Sequence, residues 1–353
     1  MALITPLRAG WLATPLLLLG CPEEVKETGE TDADTDTDTD TDTDSDTDTD
    51  TDTDTDTDTG ETGEPDDTGD SGDTGEPAPV FSVFTDDGDL VEAIDVVATE
   101  AGAYVVGFNL AGEAGVWWFD AAGGAATEVY AGDPLVMPTG LAISGDLSTL
   151  YVSDLGVPST SGAMNGAVYS LASGGGALSE LGADDAIDLP GDVAEQHGGS
   201  GLYVSGFDSS GNAAIFSLSG GSATAVASGG SLVDPTAIAV TPDGNWLFVV
   251  DSLAADGRAA IIRFELPGFA STVVASGFQV AFPGGVATDG AAAWYTTIGD
   301  PGLVEMSIDG SAMTVTDTLG LMELPGGIGL ATDRVYVTEI ASDAGADLYL
   351  LSY

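Results

Sequence analysis

One unit of sequence recurs six times between residues 80 and 353, and this repeat limits the chain to a small set of folds. Each copy has a short apolar run, a turn with Gly or Asp, and a second apolar run with an aromatic residue near its start. Clear copies read PTGLAISGDLSTLYVSD from Pro138, LPGDVAEQHGGSGLYVSG from Leu189 and DPTAIAVTPDGNWLFVVD from Asp234. The aromatic residues are Tyr104, Tyr151, Tyr203, Phe248, Tyr295 and Tyr336. A short unit repeated in this way indicates small structural units that bury a core only by packing against their neighbours.

Each pair of runs is followed by two further runs, so one unit contains four short strands. The third run reads GVWWFD or AIIRFEL, and after a Gly-rich turn the fourth reads ATEVYAG or STVVASG. Helices are excluded because the runs are short, rich in Val, Ile and Tyr, and interrupted by Gly. Four strands in about 45 residues is typical of a propeller blade. The sequence therefore predicts an all-β, six-bladed β-propeller over residues 80–353.

The two ends of the repeat region predict how the ring closes. The last copy stops at Tyr353 after its third strand, while Val80–Phe84 precedes the first copy and has no sheet of its own. A sixth blade with three strands would leave a bare edge, which sheet proteins avoid. We therefore expect Val80–Phe84 to supply the outer strand of blade six.

The repeat resembles the blades of NHL-type and gluconolactonase/senescence-marker-type propellers. The shared pattern is Pro-x-Gly, a short apolar strand, Asp-Gly and a Leu-Tyr-Val-x-Asp strand, matched best by residues 138–154 and 235–251. The resemblance implies a lactonase that holds a divalent cation with Glu, Asn and Asp, the Asn following the Pro of a blade. This chain has Thr139 and Thr236 at that position, which argues against lactonase activity.

The first 79 residues predict export and attachment to a membrane. Residues 1–20 hold one base, Arg8, and a short apolar run, as in a signal peptide. The run ends in Leu-Leu-Gly-Cys, which resembles the bacterial lipobox and implies that Cys21 is lipidated. The residue after Cys21 is Pro22 and not Asp, which favours the outer membrane. Residues 21–79 are a Thr/Asp-rich linker, which we expect to be disordered.

The charge of the chain excludes nucleic acid as a partner. The chain has 59 acidic residues against five Lys and Arg, and 34 of the acids lie in residues 80–353 beside three Arg. Nucleic-acid binding requires bases that neutralise phosphates. Such a surface favours solubility, cations and basic partners, or reflects adaptation to a salty medium. Cys21 is the only Cys, so the chain holds no internal disulfide and no thiolate metal site.

Candidate metal ligands follow the aromatic strands. Asp154, Asp251 and Glu339 end the second strand of three blades, and in this fold such strand ends surround one end of the central channel. Carboxylates there suit Ca²⁺ or another divalent cation. The alternative is that each accepts backbone N–H groups in a local turn.

The other polar residues give weaker indications of a functional site. His197, the only histidine, lies in a hairpin and is interpreted as a surface residue. Arg258 and Arg263 are expected to balance nearby acids, with capture of an anion as the alternative.

Together these features predict a lipid-anchored binding or scaffolding protein of the cell envelope. Its expected partners are a membrane, through the anchor, and an envelope protein, glycan or cation. We expect a monomer, and the sequence shows no set of catalytic residues. The alternative is a divalent-metal-dependent hydrolase or lactonase that uses the acidic channel mouth, and a structural surface-layer component is a third interpretation.

Overall fold

A computed structural model describes residues 80–85, 90–157, 164–182, 186–299, 302–340 and 348–353. The predicted signal peptide, Cys21 and the linker lie outside these ranges. The described residues form 24 strands in six four-stranded sheets. Among them, no helix is long and apolar enough to cross a membrane.

Every sheet is an antiparallel blade whose strands lie in chain order from the centre outward, except for the outer strand of blade six. Blade one consists of β2 (Leu90–Thr99), β3 (Gly102–Asn109), β4 (Ala114–Asp120) and β5 (Thr127–Ala131). Blade two consists of β6 (Pro138–Ile143), β7 (Thr149–Asp154), β8 (Ala167–Ala172) and β9 (Ser179–Glu180). Blade three consists of β10 (Leu189–Glu195), β11 (Leu202–Phe207), β12 (Ala213–Ser219) and β13 (Ser222–Ser228).

The second half of the ring repeats this arrangement. Blade four consists of β14 (Pro235–Val240), β15 (Trp246–Ala255), β16 (Arg258–Glu265) and β17 (Ala270–Phe278). Blade five consists of β18 (Val286–Thr288), β19 (Ala292–Thr296), β20 (Gly302–Ser307) and β21 (Met313–Asp317). Blade six consists of β22 (Pro325–Ala331), β23 (Arg334–Glu339), β24 (Leu348–Ser352) and the N-terminal strand β1 (Val80–Thr85). Each first strand contacts the first strands of both neighbouring blades, which closes a six-bladed ring as predicted.

The predicted closure by the N-terminal strand is confirmed. β1 pairs antiparallel with β24, with Val80 opposite Ser352 and Phe81 opposite Leu351. The Phe81 ring stacks on Tyr349 with 5.5 Å between ring centroids. Blade six is therefore made from both ends of the repeat region, and its edge is covered.

The core lies between blades because each sheet is packed against two others. Ala259, Ala260, Ile261 and Ile262 in β16 are all fully buried, although they alternate between the two faces of the sheet. A strand buried on both faces reads as a continuous apolar run, which explains the runs that mark each third strand.

The ring has two unlike faces. The loop face carries the inter-blade loops, which lead into each first strand, and the loops between second and third strands. The hairpin face carries the turns between first and second strands and those between third and fourth strands. Hydroxyls of the second strands join neighbouring blades near the loop face, because Ser153 Oγ donates to Gly191 O at 3.2 Å and Thr338 Oγ1 to Ile94 O at 3.0 Å. The second of these bonds ties blade six to blade one.

Candidate functional site

The predicted ligands Asp154, Asp251 and Glu339 are buried and bind the backbone of their own inter-blade loops. Asp154 Oδ2 accepts the N–H groups of Val136 at 2.8 Å and Met137 at 3.1 Å. Asp251 repeats this arrangement in blade four, since its Oδ2 accepts the N–H groups of Val233 at 2.7 Å and Asp234 at 3.0 Å. These two carboxylates thus fix the backbone that leads into the first strand of blades two and four.

Glu339 plays the same part in blade six. Its Oε1 accepts the N–H groups of Leu324 at 2.6 Å and Glu323 at 3.3 Å. Burial raises the pKa of Glu339, and the bond from Leu324 partly opposes that rise. Burial likewise raises the pKa of Asp154 and of Asp251, again against the effect of their backbone donors.

This geometry supports the turn interpretation of the three carboxylates. They belong to three different blades, and the described residues contain no group of three or more His, Cys, Asp or Glu side chains placed to hold a metal ion. Their assignment as metal ligands stays a prediction.

The two Thr residues that replace the expected Asn are buried. Thr139 Oγ1 donates to Pro190 O in blade three at 3.1 Å. Thr236 Oγ1 lies 3.5 Å from Val250 O. The Thr139 hydroxyl therefore joins blades two and three, whereas the contact of the Thr236 hydroxyl lies within blade four.

A cavity of about 460 Å³ occupies the centre of the ring, lined by the first strands of all six blades. The innermost residues of its lining include Asp95 on β2 and Asp192 on β10, and the lining ends at the hairpin face with residues such as Gly145, His197 and Pro242. Neither Asp95 nor Asp192 is among the site residues predicted from the sequence. Their signal was an acid inside an otherwise apolar first strand, in IDVV and GDVA.

Asp95 and Asp192 make the same contacts in blades one and three. Oδ2 of Asp95 accepts the Leu141 N–H at 2.7 Å, and Oδ2 of Asp192 accepts the Ile238 N–H at 2.9 Å. Each of these bonds spans 46 residues, which is one blade. The two carboxylates therefore link blade one to two and blade three to four.

The protonation of this pair differs from that of ordinary surface acids. Burial raises the pKa of Asp95 to about 7, against the bonds from Leu141 and Val96. Burial also raises the pKa of Asp192, and the charge of Asp95 raises it further. Burial is therefore the main cause that favours the protonated form of both carboxylates, and the charge of Asp95 adds to it at Asp192.

The remaining polar residues singled out by sequence have structural contacts. His197 lines the hairpin end of the cavity and packs against Gly244 of the next blade. Arg263 lies over the Trp246 ring at 4.2 Å and donates to Ile308 O at 2.8 Å. Arg258 Nη1 donates to Gly277 O at 3.3 Å. The contacts of both arginines are with carbonyl and aromatic groups, whereas the sequence had suggested that they balance acids.

The loop face exposes many large apolar side chains. They occupy the inter-blade loops and the loops between second and third strands: Leu110, Val136, Met137, Val157, Val233, Phe282, Ile298, Leu319 and Leu321. On the described part of the hairpin face the comparable residues are fewer: Leu147 in a turn between first and second strands, and Val80, Met313 and Tyr353 at strand ends. Large exposed apolar patches mark interaction surfaces. The loop face is therefore the second candidate site, beside the central cavity.

Comparison with known proteins shows what the ring resembles. No protein-family model and no curated protein sequence matches the chain. Among solved structures, a gluconolactonase from Xanthomonas campestris aligns with a TM-score of 0.57 and 16% identity over 76% of this chain and 88% of that one. Regucalcin from Agrobacterium tumefaciens, described as a calcium-binding protein, aligns with a TM-score of 0.53 and 16% identity over 76% and 92%.

A chain of a nidogen/laminin complex is also similar, with a TM-score of 0.52 and 14% identity over 73% of this chain and 95% of that one. The likeness is one of fold. It agrees with the six blades and with the resemblance to gluconolactonase-type and NHL-type repeats. At such low identity it carries no activity to this chain.

Proposed function

We propose that this chain is a membrane-anchored binding protein whose propeller meets a partner protein through its loop face. The observation that carries the proposal is the concentration of exposed apolar side chains on that face. The buried carboxylates Asp154, Asp251 and Glu339 support it, because they hold the inter-blade loops in place. A loop whose conformation is already fixed loses little conformational entropy on binding.

The anchor and the linker belong to the same proposal. Lipidation of Cys21 would attach the chain to the envelope, and the acidic linker would hold the propeller away from the bilayer. Metabolic labelling with a palmitate analogue tests the anchor. We expect label and membrane fractionation in the wild-type chain and loss of both in Cys21→Ser. A variant that still fractionates with membranes would contradict the lipid anchor.

The alternative function is a divalent-metal-dependent hydrolase or lactonase. The solved structures described as a gluconolactonase and as a calcium-binding protein are what support it. The backbone bonds of the predicted ligands oppose it, because a carboxylate that binds two N–H groups has less capacity for a cation. Calcium titration by calorimetry on the full chain separates the two functions. A one-to-one site that is lost in Asp154→Ala would favour the alternative.

Photocrosslinking in producing cells tests the proposed binding face. A photoreactive phenylalanine at Phe282 on the loop face is compared with one at Leu147 on the hairpin face. The two side chains are matched controls, since they are 54% and 51% exposed. We expect a discrete adduct from position 282 alone, weakened by Val233→Ser. Equal adducts from both positions, or none from position 282, would contradict the proposal.

A further inference from the structure

We define an apolar collar as five of the exposed apolar residues of the inter-blade loops: Val136, Met137, Val233, Phe282 and Leu321. They come from the loops that lead into blades two, four, five and six. All five are exposed. The collar therefore spans several blades, and a single broad partner surface can contact residues from more than one.

The backbone of the collar is fixed by buried groups. The N–H groups of Val136 and Met137 are bound by Asp154, and that of Val233 by Asp251. Buried residues lie beside the exposed ones in the same loops, as Leu135 precedes Val136 and Leu232 precedes Val233. Each loop thus uses one apolar residue to pack the ring and presents the next to solvent.

Acidic residues lie among the collar residues. Exposed carboxylates of the same loops and of their neighbours on the loop face are Asp133, Asp256, Asp317 and Glu323. Among the described residues of that face, Arg258 alone carries a positive charge, and it is exposed. The surface that faces a partner is therefore apolar at the collar and negative around it.

This charge opposes three occupants that an apolar surface could otherwise have. The linker of the same chain carries 25 acids and one Lys in residues 22–79 and has almost no large apolar residue. A second copy presents the same negative surface, with 34 acids and three Arg in residues 80–353. An anionic bilayer repels the propeller for the same reason. Like charges brought together at an interface oppose association.

Resting on the proposed function, we infer that the partner is a protein whose contact surface combines apolar side chains with Lys and Arg. The apolar side chains cover the collar, and the bases meet the carboxylates around it. Charge complementarity of this kind raises association rates and selects among partners. It also makes binding sensitive to salt over distances longer than about 8 Å at physiological ionic strength.

Three synthetic amphipathic helices test this inference on the full chain. They share one Leu face and carry Lys, Gln or Glu on the other face. Fluorescence anisotropy compares the wild-type chain with Val136→Ser/Phe282→Ser and with the hairpin-face control Leu147→Ser. All three chains keep the same linker and the same charge, so a difference between them reports the loop face. Equal melting temperatures establish that the variants are folded.

We expect the Lys helix to bind the wild-type chain and Leu147→Ser alike, and the double variant at least about tenfold more weakly. The Gln helix should bind more weakly than the Lys helix, and the Glu helix should not bind. Raising salt from about 0.05 to 0.5 M should remove the advantage of Lys over Gln.

Other outcomes distinguish failure of the inference that the partner is basic from failure of the proposed loop-face function. The Gln or Glu helix could bind as tightly as the Lys helix while binding is still lost in the double variant. That result would support the loop face as the binding site and refute the inference that the partner is basic. If the double variant and Leu147→Ser respond alike, the proposed function fails as well. A dimer in light scattering that the double variant abolishes would make the occupant a second copy. Flotation with anionic vesicles that depends on the collar would make it a lipid surface.

Discussion

The carboxylate of Asp192 occupies the space that Gly140 leaves by lacking a side chain. A Cβ added to Gly140 would lie 2.0 Å from Oδ1 of Asp192. The same relationship joins blades six and one, where a Cβ on Gly327 would lie 1.8 Å from Oδ1 of Asp95. Each acid thus fills a space in the preceding blade and accepts an N–H from the following blade, which makes it a link in the central ring.

Gly140→Ala should destabilise the propeller because the methyl group collides with Asp192 and its backbone. We expect a loss of about 1–3 kcal/mol in the free energy of unfolding, measured by urea denaturation. Gly174→Ala is the control, because a Cβ there meets nothing within 4 Å and its φ is not positive. A loss as large in the control would contradict the steric explanation.

The same contact predicts coupling between two positions. Blades four and five carry Ala237 and Gly285 where blades two and three carry Gly140 and Asp192. Gly140→Ala combined with Asp192→Gly recreates that natural pair. We expect the double variant to be more stable than the sum of the single effects by about 1 kcal/mol or more. Strict additivity in urea denaturation would show that the two residues do not share the space.

Asp251→Ala should destabilise the fold whether or not calcium is present. The change removes the acceptor of the Val233, Asp234 and Leu253 N–H groups, and a buried unsatisfied group costs about 1–3 kcal/mol. Thermal unfolding with calcium and with chelator measures this, with Glu128→Ala on an exposed position as control. A calcium-dependent rise in melting temperature that only the wild-type and control chains show would support the metal assignment.

The closing strand β1 should stabilise the ring mainly through its buried face. Phe81→Ala removes a buried ring stacked on Tyr349 and should cost about 3–5 kcal/mol. Val83→Ala on the same strand is the control, because its side chain is 45% exposed. Deleting residues 80–84 should destabilise the ring more than either variant, whereas deleting residues 22–76 should leave it folded. Equal melting temperatures for the two deletions would refute the closure.

The stability of the ring should fall as pH rises from about 4 to 7 through the contribution of Asp95. An unfolded Asp titrates near pH 3.9, whereas burial raises the pKa of Asp95 to about 7 in the fold. Between these values the folded state keeps a proton that the unfolded state has lost, so rising pH favours unfolding. Below both values the two states are protonated alike and the contribution is constant.

The wild-type chain and Asp95→Asn are therefore compared by urea denaturation across this pH range. We expect the stability of the wild-type chain relative to the variant to fall with rising pH by up to about 4 kcal/mol, at 1.36 kcal/mol per pKa unit. Glu128→Gln provides the control for a general charge effect. A relative stability that does not change with pH would show that Asp95 titrates normally.

The candidate site was predicted less completely than the fold. An Asp at a strand end suits both a calcium site and a backbone turn, and Asp154 carries no local signal that separates them. Its partners Val136 and Met137 lie 18 and 17 residues earlier in the chain, just before the neighbouring strand of the same blade. Asp95 was missed because its surrounding run IDVV reads as an ordinary strand, and its partner Leu141 belongs to the next blade.

The sequence by itself determined the number of blades, their order and the strand that closes the ring. These follow from the repeat and from alternating apolar runs, which act within one blade and are visible in a local window. The tertiary structure decided which carboxylates bind backbone, which of them line the central cavity, and which loop residues remain exposed. Those outcomes depend on groups that lie far apart in the chain, as when Asp154 binds the Val136 N–H across 18 residues and Asp95 binds the Leu141 N–H across 46. Burial and hydrogen bonding of that kind are set only when neighbouring blades pack together.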